Sequence, residues 1–418
     1  MSIKSDVIAI AKQAKAASRH LSHISSEVKD SALEKMAEIL IKKKALILKA
    51  NNKDINIAKK AKNSAAFVER LTLNENRIKK MAEDLLAIKA LKDPIGEMIK
   101  MWQRPNGLRI SKMRVPLGVI GIIYESRPNV TSDCAGLCLK AGNAVILRGG
   151  KESINSNQAI FKAISEAAEK AGLPEGTINL IQTVDREAID VLLKQKDYID
   201  LIIPRGGEAL IRTVVEKSSI PVIKHYKGIC HTYVDEYADL AMAEEVAVNA
   251  KVQRPSTCNA MECLLVHKAI AKYFLPSIVK RFKKEGVEIR GCSKTVKLCP
   301  EVKLATKEDY ATEYLDLILS VKVVDSMQDA IDHITEFGSG HSEAIITNNF
   351  PNGITFLKEV DAACVYINAS TRFTDGNEFG LGAEIGVSTD KLHARGPMGL
   401  EELTTYKYVV MGNGQIRE

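Results

Sequence analysis

The stretch VPLGVIGIIYESRPNVTSDCAGLCLKAGNAVILRGG, residues 115–150, decides the fold. Two apolar runs in it, Val119–Tyr124 and Ala144–Leu147, have the length and composition of buried strands, and Thr131–Ala141 between them has the apolar spacing of a helix. Such a βαβ unit pairs its two strands in parallel, and ligands of parallel sheets bind in the loops at the carboxyl ends of the strands. The polar turns that follow the two runs are therefore candidate binding segments.

The alternation of strands and helices continues along the chain. After the βαβ unit, short apolar runs alternate with helical segments as far as a predicted strand at Val222–Lys224, and the alternation resumes from Glu262 to Asn368. Because 418 residues are too many for one core, we expect an α/β protein with two doubly wound lobes. The crossing between the lobes is predicted near residue 225 or 250.

The remaining segments lie outside this alternation. Apolar spacing of three and four predicts helices over Ser31–Asn51, Asp54–Ala61 and Glu75–Ala90. Leu108–Pro116 alternates apolar and polar residues, and it and Thr404–Met411 are predicted to be strands. A strand pair alone is marginally stable in water, so we expect these strands to form a small ribbon that joins copies of the chain into a homo-oligomer.

Composition excludes several classes of protein. Apolar residues make up 45% of the chain, and the net charge of +7 is spread over helix faces, which does not indicate a nucleic-acid groove. No apolar run is long enough to span a bilayer. The eight cysteines form no CxxC pair and have no histidine cluster beside them in sequence, so neither a metal site nor a disulfide framework is expected, and a cytoplasmic location is favoured.

Two glycine-containing turns are candidates for binding an anion. Arg148-Gly149-Gly150-Lys151 ends a predicted strand with two cations beside two glycines, which suits a phosphate or a ribose. Gly206 and Gly207 open a predicted helix, whose first amides attract anions. Each turn also suits an ordinary strand-to-helix connection, and no GxGxxG fingerprint follows a strand.

The candidate nucleophile is Cys258. It lies in the polar segment Arg-Pro-Ser-Thr-Cys-Asn, residues 254–259, just before an apolar strand. A thiol nucleophile must be accessible, and a turn provides that access. Cys263 lies inside the strand and is predicted to be an inert core residue.

Several segments, taken together, resemble the aldehyde dehydrogenase superfamily. They are Pro-x-Gly-Val-Ile-Gly, Gly-Asn-x-Val-x-Leu, Gly-x-Glu at a helix start, Cys in a polar turn, Glu-Tyr-Leu near residue 313 and Tyr-Ile-Asn at 366–368. Four longer segments are similar to the glutamate-5-semialdehyde dehydrogenases, also called γ-glutamyl phosphate reductases: RPNVTSDCAGLCLKAGNAVILRGGKE, VQRPSTCNAMECLLVH, HITEFGSGHSEAI and GLGAEIGVSTDKLHARGPMGLEELTTYKY. Phe337 stands where that family's pattern has His or Tyr.

The resemblance implies a domain plan. Residues 1–103 and 115–224 would form an NADPH-binding domain, and residues 225–396 a catalytic domain with the nucleophilic cysteine. Residues 104–114 and 397–418 would be oligomerisation strands.

The resemblance also implies a reaction, the second step of proline biosynthesis. L-Glutamyl 5-phosphate would be reduced to L-glutamate 5-semialdehyde through a thioester on Cys258, with release of phosphate, and Glu313 would hold the nicotinamide ribose. Hydrolytic relatives carry a Glu-Leu-Gly-Gly-Lys segment whose Glu activates water. Here the corresponding residues, 224–228, are Lys-His-Tyr-Lys-Gly, which favours phosphate exchange. The alternative is a hydrolytic NAD(P)-dependent dehydrogenase of another small aldehyde.

The cofactor and ligand residues follow by the same comparison. Many NAD-using relatives have Glu three residues after the basic residue that ends the strand, where this chain has Lys151, so NADPH is expected. Cofactor contacts are predicted at Arg148, Gly149, Lys151, Gly206, Gly207 and Glu313. Substrate contacts are predicted at Arg127, Asn129, Arg254, His341 and Arg372, with Arg395 as a further cation near the motif segments.

The implied substrate also implies a partner. An acyl phosphate hydrolyses or cyclises readily, and this chain shows no P-loop that would make it. Either the intermediate diffuses freely, or it passes through a transient complex with glutamate 5-kinase.

Overall fold

A computed structural model describes residues 2–417, except for the side chains of Ala65 and Ala66. The α-helices are α1 (Ile3–Leu21), α2 (Ser26–Lys42), α3 (Lys44–Lys60), α4 (Ala65–Leu71), α5 (Glu75–Ala90), α6 (Val130–Lys140), α7 (Ile154–Lys170), α8 (Glu187–Leu192), α9 (Glu208–Lys217), α10 (Leu240–Val252), α11 (Lys268–Lys284), α12 (Ser293–Leu298), α13 (Lys307–Tyr310), α14 (Met327–Phe337) and α15 (Phe350–Glu359). Short 3₁₀ helices cover Lys151–Ser153, Thr371–Phe373 and Glu401–Leu403.

The strands form four sheets. They are β1 (Met98–Gln103), β2 (Arg109–Pro116), β3 (Val119–Tyr124), β4 (Ala144–Gly149), β5 (Ile178–Leu180), β6 (Leu201–Arg205), β7 (Cys230–Val234), β8 (Met261–His267), β9 (Glu288–Gly291), β10 (Lys303–Leu304), β11 (Ile318–Val324), β12 (Ser342–Ile346), β13 (Cys364–Ile367), β14 (Val387–Ser388), β15 (Gly396–Pro397) and β16 (Thr404–Met411). The sheet orders are β1-β2-β16, β5-β4-β3-β6, β10-β9-β11-β8-β7-β12-β13 and β14-β15.

The chain divides into two compact units. The first comprises Met1–Lys224, Gly380–Gly386 and Met398–Glu418, and the second comprises His225–Phe379 and Val387–Pro397.

The first unit contains the predicted βαβ element. β3 pairs in parallel with β4 and with β6, and β4 pairs in parallel with β5. Every residue of β3 and β4 is buried, as expected for central strands covered on both faces. Tyr124 and Gly149 are register partners at the carboxyl ends of β3 and β4, so the turns that follow start side by side.

The second unit is built on a seven-stranded parallel sheet. Its central strands β7, β8 and β12 are fully buried, and α11 covers a large hydrophobic core that includes Phe274, Leu275 and Phe282. The turn that carries Cys258 links α10 to β8. The α/β fold with parallel, helix-covered sheets is therefore confirmed for both units.

Some predicted elements were wrong in detail. The predicted helix Ser31–Asn51 is two helices separated at Lys43, whose backbone (φ −95°, ψ 13°) leaves the helical region. The apolar spacing continues unchanged across Lys43, so the sequence pattern did not indicate that the helix is interrupted there. Asp54–Ala61 is the end of α3. The predicted strand Val222–Lys224 makes one isolated bridge, Val222 to Ile202.

The two predicted outer strands pair with each other. β2 and β16 form an antiparallel ladder over their whole length, and β1, which the sequence did not predict, adds a third strand. Several apolar side chains of β1 and β16 are more than 40% exposed, among them Met101, Tyr408 and Val410. The sheet thus presents exposed apolar side chains and two unpaired edges.

Among residues 2–417, none of the helices combines the length and apolar character needed to cross a bilayer. None of the eight cysteines, all of which the structure describes, forms a disulfide.

Candidate active site

The turn between α10 and β8 places Cys258 at an accessible position. Cys258 is half-buried, whereas Cys263 on β8 is fully buried. The Thr257 hydroxyl donates to the Arg254 carbonyl oxygen at 2.8 Å and so fixes the turn. The contrast agrees with the predicted roles of the two cysteines.

The carbonyl oxygen of Cys258 contacts two residues at the start of β7: Cys230, the first residue of the strand, and Gly228, just before it. The Cys230 thiol donates to the Cys258 carbonyl oxygen at 3.2 Å. A Cβ on Gly228 would lie 1.9 Å from the same oxygen, so only glycine fits there. Sequence reasoning missed both residues, although Gly228 lies in the segment compared with the hydrolytic relatives.

Two arginines lie beside the nucleophile. Arg372, on the 3₁₀ helix after β13, interacts electrostatically with Arg254 and with Cys258. Burial and the neighbouring Arg254 guanidinium lower the pKa of Arg372, and its Nε donates to Gln253 Oε1 at 2.9 Å. Two adjacent guanidinium groups favour a bound anion, since each destabilises the other's charge. The structure thus brings together three of the predicted site residues.

Glu313 lies close to the same turn. Its Oε1 accepts a hydrogen bond from the Gly228 backbone N–H at 2.9 Å. The predicted ribose-binding carboxylate is therefore linked through Gly228 to the backbone of Cys258.

The side chains of His341 and Arg395 contact other residues of the chain, whereas a side chain that binds a ligand is expected to be open to it. His341 is fully buried, and its Nδ1 lies 2.8 Å from Ser342 Oγ and 3.8 Å from Cys230 Sγ. Arg395 donates to Asp361 at 2.7 Å. His341 thus supports the turn from inside, and its contact with substrate stays a prediction.

Contrary to expectation, the fold assembles a histidine–cysteine cluster. Cys263, His231 and His333 place three potential ligand atoms within 4.8 Å of one another. Although burial lowers the pKa of His231, Glu343 and Cys263 together outweigh it and raise that pKa to about 10. Hydrogen-bond contacts link the cluster to its surroundings: His231 Nδ1 lies 2.9 Å from Glu343 Oε2, Cys263 Sγ lies 3.6 Å from His333 Nε2, and Lys322 contacts His333 Nδ1 at 3.0 Å.

The first unit carries the candidate cofactor residues. Arg148 is buried, and its guanidinium donates to the carbonyl oxygens of Gly149 and Val184. A Cβ on Gly149 would lie 2.0 Å from the Asn157 side chain. Both residues therefore shape the end of β4 rather than offer an open binding group.

The turn before α9 is more open. Gly207 is exposed and has no atom within 4 Å of the position that a Cβ would take. Its N–H donates to Glu125 Oε2 at 3.0 Å, and Gly206 packs against the same carboxylate. Glu125, which sequence reasoning missed, therefore already engages one of the amides expected to receive an anion.

Among the predicted cofactor residues of the first unit, Lys151 is the best placed to bind an anion. It is exposed, and no hydrogen bond or ion pair holds its ammonium within the described part of the chain. Glu152 turns away from it and accepts from the backbone N–H and hydroxyl of Ser126, at 2.7 and 3.0 Å. An exposed ammonium in the turn after β4, at the carboxyl edge of a parallel sheet, fits a nucleotide phosphate.

Two predicted substrate residues lie in the first unit. Arg127 is exposed in the turn after β3, and Asn129 donates to Asp133 Oδ2 at 2.8 Å at the start of α6. Both follow a strand end as predicted, and their contact with substrate stays a prediction.

The comparisons with known proteins agree with this geometry. The profile of the aldehyde dehydrogenase family matches residues 2–311, so the chain belongs to that family. Within it, the chain is 60% identical over 408 residues to the gamma-glutamyl phosphate reductase of Caldanaerobacter subterraneus subsp. tengcongensis, covering 98% of this chain and 99% of that one.

Solved structures give the same result. A crystal structure of gamma-glutamyl phosphate reductase from Thermotoga maritima is 49% identical and matches with a TM-score of 0.97, covering 99% of this chain and 100% of the other. An acetylating aldehyde dehydrogenase from Geobacillus thermoglucosidasius is 20% identical with a TM-score of 0.71, covering 100% and 98%, and it shares the fold.

Proposed function

We propose that this chain is an acyl phosphate reductase, which reduces L-glutamyl 5-phosphate to L-glutamate 5-semialdehyde in proline biosynthesis. Its relatives at about 60% identity over nearly the whole chain carry the name of that enzyme. The observation that carries the proposal is the half-buried Cys258 in a turn beside two guanidinium groups.

The residues of the second unit account for the first chemical step. The Cys258 sulfur forms a bond to the acyl carbon, and the carbon–oxygen bond to phosphate breaks. Arg254 and Arg372 stabilise the negative charge that develops on the leaving phosphate. The Cys258 backbone N–H is the proposed donor to the carbonyl oxygen of the resulting thioester.

The reduced nicotinamide would supply a hydride to the thioester carbon, after which the carbon–sulfur bond breaks, the aldehyde is released and the Cys258 thiolate is regenerated. NADPH is the proposed form, because the Lys151 ammonium favours a 2′-phosphate and a carboxylate at that position would repel it. Glu313 is the proposed partner of the nicotinamide ribose.

Phosphate exchange is favoured over hydrolysis at the thioester. The segment that carries the water-activating Glu in hydrolytic relatives is Lys224–Gly228 here and contains no carboxylate. Without a general base, water attacks the thioester slowly, and phosphate competes in the reverse direction.

The test is reduction of NADP⁺ by glutamate-5-semialdehyde, measured with and without inorganic phosphate. The proposal requires phosphate-dependent NADPH formation, and arsenate should replace phosphate. Formation of NADPH without either anion would instead identify a hydrolytic dehydrogenase, the alternative function.

Oligomerisation through the three-stranded sheet is a further proposal. Its exposed apolar side chains and unpaired edges support pairing with another copy of the chain. Sedimentation should show an oligomer at micromolar concentration, and Tyr408→Glu should shift it toward the monomer. A monomeric wild-type chain would contradict this proposal.

We also propose that the reaction takes place in the cytoplasm and that the acyl phosphate passes to this chain through a transient complex with glutamate 5-kinase. Eight described cysteines that form no disulfide suit a reducing compartment. Excess Cys258→Ala protein should slow the coupled flux of kinase and reductase. If it slows the flux no more than an unrelated protein does, transfer is by free diffusion.

A further inference from the structure

A buried ion pair lies next to the nucleophile. Lys251, in the last turn of α10, donates to Glu262 Oε2 on β8 at 2.6 Å, and the two side chains are 0% and 1% exposed. The pair therefore joins the two elements that flank the Cys258 turn. Nothing in the proposed chemistry uses either charge directly.

Stability does not explain this pair. Removing two charges from water costs several kcal/mol per ion, and replacing a buried ion pair by apolar residues is often neutral or stabilising. Burial lowers the pKa of Lys251 and raises that of Glu262 to about 7, so both charged forms are disfavoured by their surroundings. The role of the pair must therefore come from the residues that it contacts, and not from its charge alone.

The second oxygen of Glu262 holds a strained segment. Glu262 Oε1 accepts a hydrogen bond from the Leu315 backbone N–H at 3.1 Å. Leu315 has φ +54°, the left-handed region that costs a non-glycine residue on the order of 1 kcal/mol or more. Strain of this kind persists only where neighbouring groups fix the backbone, and Glu262 supplies one such contact.

The residue before Leu315 is fixed from another direction. The Tyr314 hydroxyl donates to Asp309 Oδ1 at 2.8 Å, and the Arg290 guanidinium lies 5.2 Å from the centre of the Tyr314 ring. The segment 313–315 therefore has a defined backbone and a defined central side chain.

This segment presents Glu313. Its carboxylate accepts from the Gly228 N–H, and Gly228 packs directly on the Cys258 carbonyl. Glu262 and Glu313 are near enough for each charge to affect the other, and Lys251 offsets that repulsion. A continuous series of contacts thus runs from the buried pair to the nucleophile.

We propose that the Lys251–Glu262 pair is a positioning device that fixes the strained segment 313–315, and through it sets Glu313, Gly228 and the Cys258 turn. Both residues act through others and touch no substrate. The catalytic consequence rests on the proposed function of Cys258 and Glu313.

Two charge-free double variants test the proposal. Lys251→Met with Glu262→Gln keeps an oxygen that accepts from Leu315 N–H, and Lys251→Met with Glu262→Leu removes it. Because a buried N–H without an acceptor costs about 1–3 kcal/mol, the Leu variant should have a KM for NADPH raised, or a kcat lowered, roughly tenfold or more. The Gln variant should recover most of that loss.

Melting temperatures separate positioning from general damage. The unpaired Leu315 N–H can lower the melting temperature of the Leu variant, so both variants are assayed far below their melting temperatures, where the Leu variant should still show the larger kinetic loss. An exposed ion pair of the same unit, changed as Lys294→Gln with Asp325→Asn, is the control and should alter neither rate nor KM.

A second measurement does not depend on the enzyme assay. Alkylation of Cys258 by iodoacetamide, followed by peptide mass spectrometry, reports the geometry of the turn even if the proposed reaction fails. We expect the Leu variant to differ from wild type in this rate and the Gln variant to resemble it. Equal kinetic constants and equal alkylation rates in both variants would overturn the proposal, as would losses that follow the melting temperature alone.

Discussion

Two regions of the molecule are built in opposite ways. One is the glycine-rich edge of the first unit, the turns with Gly149-Gly150 after β4 and Gly206-Gly207 after β6, and the other is the Cys258 turn of the second unit. At the edge, the Lys151 ammonium is exposed, and neighbouring carboxylates hold the turns, Glu152 at Ser126 and Glu125 at the Gly207 N–H. Around Cys258, buried side chains hold particular backbone groups: Cys230 donates to the Cys258 carbonyl oxygen, and Glu262, the partner of Lys251, accepts from the Leu315 N–H. The difference indicates that substitutions at the edge should change affinity, and substitutions at the turn should change turnover.

The largest expected effect is at the nucleophile. Cys258→Ala should lower kcat by more than roughly a thousandfold, because no other group forms the acyl bond, while NADPH binding by the first unit should be retained. Turnover and NADPH fluorescence titration measure the two quantities separately.

Cys263→Ala is the matched control for that change. Cys263 is fully buried on β8, so its loss should lower the melting temperature and leave kcat within a few-fold of wild type. Substantial turnover by the Cys258 variant would exclude the covalent mechanism and remove the contrast between the two regions.

A smaller effect is expected at the edge. Lys151→Glu should shift preference from NADPH toward NADH by roughly tenfold to a hundredfold, the scale of a charge-assisted contact of about 1.5–3 kcal/mol. The ratio of kcat/KM for the two cofactors measures it, and kcat itself should change little.

Lys194→Glu serves as the control, since it makes the same charge change at another exposed lysine of the first unit. If the two variants show equal cofactor ratios, Lys151 does not face the 2′-phosphate, and the edge binds its ligand by other groups.

The sequence predicted the apolar parts of this fold better than the polar ones. β3 and β4 are unbroken apolar runs, because both of their faces are covered, and they were predicted almost to their ends. β7 has the sequence CHTYV and is equally buried, but it contains polar residues, of which His231 and Tyr233 pair with buried carboxylates, so the run gave no strand signal. Polar pairing in a core depends on partners far away in sequence.

The same limit applies to the site. Cys258 was predictable because a cysteine in a polar turn is a local feature. Glu262 gave a local signal too, as a charged residue in an apolar strand, yet its partners Lys251 and Leu315 follow only from the three-dimensional packing. The sequence therefore predicts a candidate nucleophile, and the structure is needed to see which residues hold the turn that carries it.

The smallest expected effect concerns the buried network on the sheet below the turn. Burial lowers the pKa of His231, but Glu343, 2.9 Å from its Nδ1, and Cys263 together raise the folded-state pKa to about 10, against an ordinary value near 6.5. A raised pKa means that the contribution of His231 to stability is complete below pH 6.5 and is lost as pH rises toward 10.

The substitution Glu343→Gln removes that contribution and leaves a buried neutral imidazole. The melting temperature of wild type should therefore exceed that of the variant by a few degrees at pH 7, and the difference should shrink steadily by pH 10. Because other groups titrate in both proteins, only the difference is informative. A difference that stays constant over this range would show that His231 is neutral in the folded protein, and that the network near Cys263 is held by packing rather than by charge.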